Sequence, residues 1–420
     1  MRSEGADGRS VATIARTLFS ARMLLALVMG FACGLPLLLT GSVLQAWMKE
    51  SGVDLSVIGL FALVGLPYTL KFLWAPIVDR YTPPLLGRRR GWLLVAQVGL
   101  MAALVGLSFG QPAQSPWLVA AAAMLVTFFS ASQDIVVDAF RREDLADEEL
   151  GLGSSMYVNG YRLGMLLAGG GGLILADHLS FPVVYRLMAA SVLVGAAATL
   201  FAREPRVAEG TPRSLRQAVI EPFVEYFQRD GAVWILAFIL LYKLGDTMAS
   251  AITTPFYLDL GFSKSEIGAV VKLFGFWATL GGGLLGGILI LRTGIGRALW
   301  LFGMLQMVST LGFVVLAQIG HSLPVLASVV ALENLTGGMG TAAFVAFMGS
   351  LTNKRFTATQ YALLSSLMGV PRVLASAPTG LMAQAMGWPA FFVFCTVIAI
   401  PGLLILRRFA SWQGAPVENG

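Results

Sequence analysis

Among the ionisable side chains inside apolar stretches of this sequence are Lys71, Asp134, Asp138, Arg162, Lys243, Asp246, Lys272 and Arg372. A lone charge at mid-bilayer costs about 2.5–3.5 kcal/mol on insertion scales, so each needs a partner or a watery cavity. Asp134 and Asp138 are four residues apart and share one helical face. Asp134, beside Gln133, lies deeper in its run. A carboxyl group taken out of water is suited to load and unload a proton; contact with a solute or a buried structural pair are the other readings of Asp134. Asp138 lies within a turn of the run's end, next to Arg141 and Arg142. It either pairs with Arg141, Arg142 or the loop after the second span, in a gating or structural role, or carries a proton together with Asp134. Lys243 and Asp246 are three apart and could neutralise each other. Lys71 could reach Asp134 or an anionic solute, and Arg162 and Arg372 would suit carboxylates or phosphates. Snorkelling or salt bridges are the plainer alternative for each, and Lys272 is expected to be of that plainer kind. Gln45, Trp47, Tyr68, Trp74, Tyr157, Asn159, Tyr161, Tyr242, Trp277, Glu333, Asn334 and Gln360 are candidates to line a sugar site. Trp47 and Trp74 sit near the ends of apolar runs, where interfacial aromatic belts are the usual reason.

The elements that must hold these groups follow from composition. Of 420 residues, 56% are hydrophobic and 12% charged, against about a quarter charged in soluble domains. The apolar residues form runs long enough to cross a bilayer, which takes roughly 20 per helix. Leu93 to Phe109 shows none of the alternation of a membrane β-barrel, so the spans are α-helices. Twelve are expected, near 21–48, 57–77, 91–110, 115–139, 152–176, 182–202, 232–258, 266–291, 297–318, 323–350, 358–385 and 388–407. This gives an N-terminal six-helix bundle over 1–203, a linker over 204–231 and a C-terminal six-helix bundle over 232–420. The linker's later part, with Ala218, Val219, Phe223, Tyr226 and Phe227, is expected to be an amphipathic helix on the membrane surface. The first apolar run lacks a small-residue cleavage site and is expected to be a retained helix.

Outside the spans, Lys and Arg crowd the N-terminus and alternate loops. The opposite loops hold only Lys49, Arg186 and Lys264. By the positive-inside rule both termini are cytoplasmic. This placement accounts for the net charge of +6 without a nucleic-acid partner. Cys33 and Cys395 fall in apolar runs and His178 and His321 in short loops, so neither a disulfide framework nor a metal site is expected. No catalytic motif appears, and no enzyme activity or cofactor is expected. The acidic cluster Glu143, Asp144, Asp147, Glu148 and Glu149 is expected to be a solvated loop.

The two halves echo each other. Gly52 to Gly59 precedes the second span and Gly261 to Gly268 the eighth, 209 residues later. Tyr161-Arg162 and Pro371-Arg372 are 210 apart. Glycines cluster at Gly169 to Gly172 and at Gly281, Gly282, Gly283, Gly286 and Gly287, where small residues let helices approach. Six plus six spans, related by an axis along the membrane normal, resembles the major facilitator superfamily. In that fold spans five and eight face each other across the halves.

The stretch Ala75-Pro76-Ile77-Val78-Asp79-Arg80 followed by Gly87-Arg88-Arg89-Arg90-Gly91-Trp92 resembles the superfamily's signature loop, with Tyr81-Thr82-Pro83-Pro84-Leu85-Leu86 inserted. The resemblance implies that Asp79, Arg80, Arg88 and Arg89 latch helix ends between states. The N-terminal half is similar to the AmpG muropeptide permeases of Gram-negative bacteria. It carries Gly30-Phe31-Ala32-Cys33-Gly34-Leu35-Pro36, Leu44-Gln45-Ala46-Trp47-Met48, Lys71-Phe72-Leu73-Trp74-Ala75-Pro76, Ser130-Ala131-Ser132-Gln133-Asp134-Ile135-Val136-Val137-Asp138-Ala139 and Gly160-Tyr161-Arg162-Leu163-Gly164-Met165. The resemblance implies an inner-membrane carrier, and a monomer is expected. It would bring N-acetylglucosaminyl-anhydro-muramyl peptides from periplasm to cytoplasm, driven by protons, for peptidoglycan recycling and β-lactamase induction. It also implies that Gln133, Asp134 and Asp138 matter. Siderophore importers and acetyl-coenzyme A transporters share parts of the pattern and are the alternative.

Overall fold

The computed structural model describes residues 17–53, 57–58, 61–84, 86–205, 215–229, 231–263, 266–353, 355–375 and 378–409. Among these the regular structure is helical, with no strand. In chain order the helices are α1 (Ala21–Glu50), α2 (61–80), α3 (Arg88–Leu107), α4 (Pro116–Asp144), α5 (150–176), α6 (Phe181–Phe201), α7 (Leu215–Gln228), α8 (Ala232–Asp259), α9 (Ile267–Thr293), α10 (Ile295–Ile319), α11 (Leu323–Ser350), α12 (Thr357–Leu374 and Thr379–Met386) and α13 (Trp388–Arg408).

Nine of these are long and apolar enough to cross a membrane. The exceptions are the linker helix α7 and three expected spans, α2, α5 and α12, each interrupted. Between Phe61 and Arg80, α2 runs as four short pieces, with Pro67 and Pro76 opening two of them. The helix α5 widens to a π turn over Leu167–Gly171, and α12 breaks ahead of Thr379. The same three spans carry Tyr68, Lys71, Asn159, Tyr161, Arg162, Gln360 and Arg372. Broken and polar helix is tolerated at membrane depth where it meets protein or water instead of lipid.

The chain divides into two compact units. The first holds the described residues through Tyr226, including most of α7, together with Gly349–Ser366. The second holds Phe227–Met348 and the described residues from Leu367 onward. A division by chain order at 204–231 leaves out that the start of α12 packs with the N-terminal helices.

In the first unit, Leu39, Leu44, Leu100, Leu104, Val126 and Met188 form the apolar core. Trp47 is buried in it, 5.9 Å from the Phe181 ring and 5.4 Å from Tyr185. Trp74 donates to Ser132 Oγ at 3.0 Å and packs on Phe128. Both tryptophans pack inside the bundle, which corrects their reading as belt residues. In the second unit, Phe256, Phe313, Phe391 and Phe392 interlock with ring centroids 4.8–6.1 Å apart.

Glycine sets the helix crossings. A Cβ on Gly30 or Gly34 of α1 would run into the carbonyl oxygens of Tyr157 and Tyr161 on α5. One on Gly160 or Gly164 would meet those of Leu27 and Phe31. Two Gly-x-x-x-Gly pairs therefore let α1 and α5 touch backbone to backbone. In the second unit, Gly282 and Gly286 of α9 press on Leu335 and Met339 of α11 in the same manner.

At the start of α9, Ser263 N–H donates to Glu266 Oε2 at 2.7 Å and Glu266 N–H to Ser263 Oγ at 3.2 Å. This reciprocal capping box explains the sequence around Gly261. The hydrogen bond from Ser263 N–H holds the Glu266 carboxyl below its ordinary range.

Candidate functional site

The inward face of α4 in the first unit gathers most of the expected polar residues. Lys71, only 7% exposed, reaches Asp138 with Nζ 3.9 Å from Oδ2. Arg141 holds the other oxygen, Nη2 to Oδ1, at 3.2 Å. The same Arg141 Nη2 donates to Tyr361 Oη at 2.9 Å. Its guanidinium lies over the Tyr157 ring, 4.5 Å from the centroid. Asp138 is thus held between two cations, and Arg142 turns away to Asp147 at 2.6 Å.

One turn deeper, Asp134 is 7% exposed and Gln133 fully buried. Gln133 Nε2 donates to the buried Cys33 Sγ at 3.4 Å. Asp134 Oδ1, Gln133 Oε1 and both amide atoms of Asn159 are buried without a hydrogen-bond partner. Buried polar atoms are rarely left so. Tyr68 closes this face by donating to Ser130 Oγ at 2.9 Å. Tyr161 and Arg162 follow on α5, half-buried, with the Tyr161 ring 6.1 Å from Tyr157. Gln45 is exposed.

A second network joins the ends of α2, α3 and α4. Asp79, 1% exposed, accepts from Arg89 Nη2 at 2.8 Å, from Thr359 N–H at 2.9 Å and from Thr359 Oγ1 at 2.8 Å. It thereby caps the first turn of α12, where an anion meets free amides and the positive helix end. Arg89 also forks onto Glu143, Nη2 to Oε1 at 2.6 Å and Nε to Oε2 at 3.0 Å, and Arg88 adds Glu143 Oε1 at 3.1 Å. Glu204 caps α3 through the N–H groups of Arg89 at 2.7 Å and Arg90 at 3.0 Å. Arg80 stays outside this knot, over the Tyr81 ring.

Glu143 corrects the sequence reading. Its side chain is 2% exposed between two arginines, not part of a solvated loop. Asp144 and Glu149 pair with Arg22. The cue in the sequence is that α4 continues without a breaker through Arg141-Arg142-Glu143. Glu204 and Tyr361 escape a sequence reading because nothing local marks a partner 115 or 220 residues away.

In the second unit Lys243 Nζ lies 3.3 Å from Asp246 Oδ2 and donates to Gln306 Oε1 at 3.0 Å. Glu333 meets Ser309 Oγ at 2.5 Å. Tyr242 donates its hydroxyl to Leu299 O at 3.0 Å and stacks on Phe344, a packing role. Gln360 bridges Asn353 N–H, Pro222 O and Glu225, which ties the start of α12 to α7. Trp277 and Lys272 are exposed. Arg372 falls in α12, and its side chain lies outside the described residues.

The Major Facilitator Superfamily model matches residues 18–376. The anhydromuropeptide permease of Escherichia coli K12 is 47% identical over 387 residues, covering 92% of this chain and 79% of that protein. The chain belongs to the AmpG-type permeases of the major facilitator superfamily. A putative transporter AmpG 4 of Rickettsia felis is 35% identical, with 90% of this chain and 94% of that protein covered. Among solved structures, the proton:xylose symporter XylE bound to 6-bromo-6-deoxy-D-glucose superposes with a TM-score of 0.68 at 10% identity, covering 94% and 95% of the two chains. The human organic anion transporter MFSD10 gives 0.61 at 18%, covering 92% and 97%. These two carry the fold alone. The expected multi-pass facilitator fold and AmpG membership therefore hold.

Proposed function

We propose that this chain imports N-acetylglucosaminyl-anhydro-muramyl peptides across the bacterial inner membrane, coupled to proton entry, by alternating access. Both termini are cytoplasmic and the monomer is the working unit. The name of its Escherichia coli relative supplies the solute class. The observation that carries the mechanism is the unpaired set on the first unit: Asp134 Oδ1, Gln133 Oε1 and the Asn159 amide, beside an Asp138 already flanked by Lys71 and Arg141. Asp138 has two cations for partners, so the carboxyl left to exchange a proton is Asp134. The idle amides offer donors and acceptors of the kind that sugar hydroxyls and peptide groups bind. Asp79 with Arg89 and Glu143 forms the latch at the start of α12.

Vesicles with an imposed pH gradient test this reading. Wild type accumulates labelled anhydro-muropeptide, and excess amino sugar or unlabelled anhydro-muropeptide competes, whereas a siderophore or an acyl thioester does not. Asp134→Asn binds the same probe within a few-fold but loses gradient-driven accumulation. Undiminished accumulation by Asp134→Asn removes that carboxyl from the coupling step.

A further inference from the structure

We propose that Asp246 of α8 and Glu333 of α11, inside the second unit, form a further proton-binding site, a carboxyl pair that shares one exchangeable proton. The inference rests on the proton-coupled reading above and deepens it.

One hydrogen-bonded cluster holds both acids. Lys243 Nζ lies 3.3 Å from Asp246 Oδ2 and 3.0 Å from Gln306 Oε1, and Ser309 Oγ links Gln306 O at 2.8 Å to Glu333 Oε2 at 2.5 Å. Charge points to a proton there. Lys243 is paired to Asp246 at 3.3 Å, and one lysine against two carboxylates leaves one negative charge in an apolar helix bundle. A single shared proton makes the trio neutral. Ser309 Oγ sits 2.5 Å from Glu333 Oε2, 2.9 Å from Thr336 Oγ1 and 2.8 Å from Gln306 O. Thr336 can donate to Ser309, but the one Ser309 hydrogen still faces two acceptors, Gln306 O and Glu333 Oε2, so a protonated Glu333 fits this environment as donor.

An independent feature points into the same place. Gln306 of α10 is 5% exposed. Its Oε1 accepts from Lys243, yet its Nε2 is buried with no partner. Gln306 and Asp246 line one hollow together with Tyr242, Thr310 and Cys395. Idle amide donors facing a carboxyl group are placed to take up the oxygen that loses its proton. Among the described residues the other titratable groups facing the pair are Lys243 and Tyr242 on α8, Tyr257 farther along α8, and Cys395 on α13. Tyr242 is engaged with Leu299 O, so the proton-exchanging groups are the two acids.

Infrared difference spectra of the full-length protein in nanodiscs, titrated across pH, test the pair. Wild type should show a protonated-carboxyl band that persists at neutral pH and disappears on alkaline titration. In the Asp134→Asn background, which removes that carboxyl's own band, Glu333→Gln and Asp246→Asn should each abolish it. Substrate counterflow without a gradient should persist in Glu333→Gln, and gradient-driven accumulation should fall at least tenfold. A neutral-pH band that survives both Glu333→Gln and Asp246→Asn in that background overturns the proposal. So does gradient-driven accumulation undiminished in Glu333→Gln. The band needs neither solute nor gradient, so it answers for this pair even if wild-type transport proves independent of protons.

Discussion

At the scale of the residue, the cost of charge in lipid makes most polar positions legible in the sequence itself. Lys71, Asp134, Asp138, Lys243 and Asp246 stand out because an apolar helix has no other reason to hold them. Their partners are not legible there. Lys71 meets Asp138, where Asp134 was the expected acid. Arg141 finds Tyr361, 220 residues on, and only folding brings those together. The Lys71–Asp138 contact makes a definite prediction. Lys71→Met leaves Asp138 with Arg141 alone and should cost about 1–3 kcal/mol of stability, the usual penalty for a buried charge that loses a partner. In Lys71→Met with Asp138→Asn the losses should not add, and a cycle of thermal or denaturant unfolding should give a coupling of about 0.5–3 kcal/mol. Additive losses would mean that the two side chains do not act on each other. A 3.9 Å separation is a charge contact, not a short hydrogen bond, so the low end of that range is expected.

At the scale of the element, nine of the described helices are unbroken and apolar enough to cross a membrane. The three expected spans outside that set, α2, α5 and α12, are the ones a carrier has reason to break and make polar. Apolar runs and loop charge still mark them in the sequence, because span counting must leave the Lys and Arg on one side. The packing role of glycine is only half legible. The clusters at Gly169 to Gly172 and Gly281 to Gly287 stand out by their density. The pairs Gly30/Gly34 and Gly160/Gly164, which make the closest crossing in the first unit, look unremarkable as composition. A helical glycine declares its purpose only by what its missing Cβ would strike. Gly160→Ala would place that carbon against the Leu27 carbonyl and backbone of α1, which cannot swing aside. A loss of about 1–3 kcal/mol or more is expected, as for other overpacked sites. Gly281→Ala, on α9 with nothing within 4 Å, should be neutral or gain about 0.5–1 kcal/mol from helix propensity. Melting temperatures of the two variants in one detergent compare them directly. Equal destabilisation by both would rule out the crossing as the cause.

At the scale of the whole molecule, six-plus-six organisation is legible from the span count and from echoes 209 and 210 residues apart. The placement of the segment Gly349–Ser366 is not. By chain order it joins α11 to α12, yet it packs in the first unit. No local pattern announces this. The signal lies in Asp79, whose two oxygens take three hydrogen bonds from Thr359 and Arg89. A carrier that alternates needs contacts strong enough to hold a state and simple enough to release it. One carboxylate on one helix end meets both needs, since its bonds are made or lost together. Glu143 keeps Arg89 oriented in either case, so the basic side of the latch need not rebuild. Removing the acid should therefore loosen the start of α12 without unfolding the unit. The chain's two cysteines are both buried, so an introduced thiol can report on this. Ala358→Cys puts one beside the latch at a buried position that keeps its backbone N–H. Adding Asp79→Ala should speed its alkylation about tenfold or more, the equivalent of ~1.4 kcal/mol and less than hydrogen bonds to a buried charge usually contribute. Alkylation at the same rate in both backgrounds would show that Asp79 holds nothing closed. Faster alkylation with gradient-driven uptake fully retained would leave it a fastener of α12 with no part in the transport cycle.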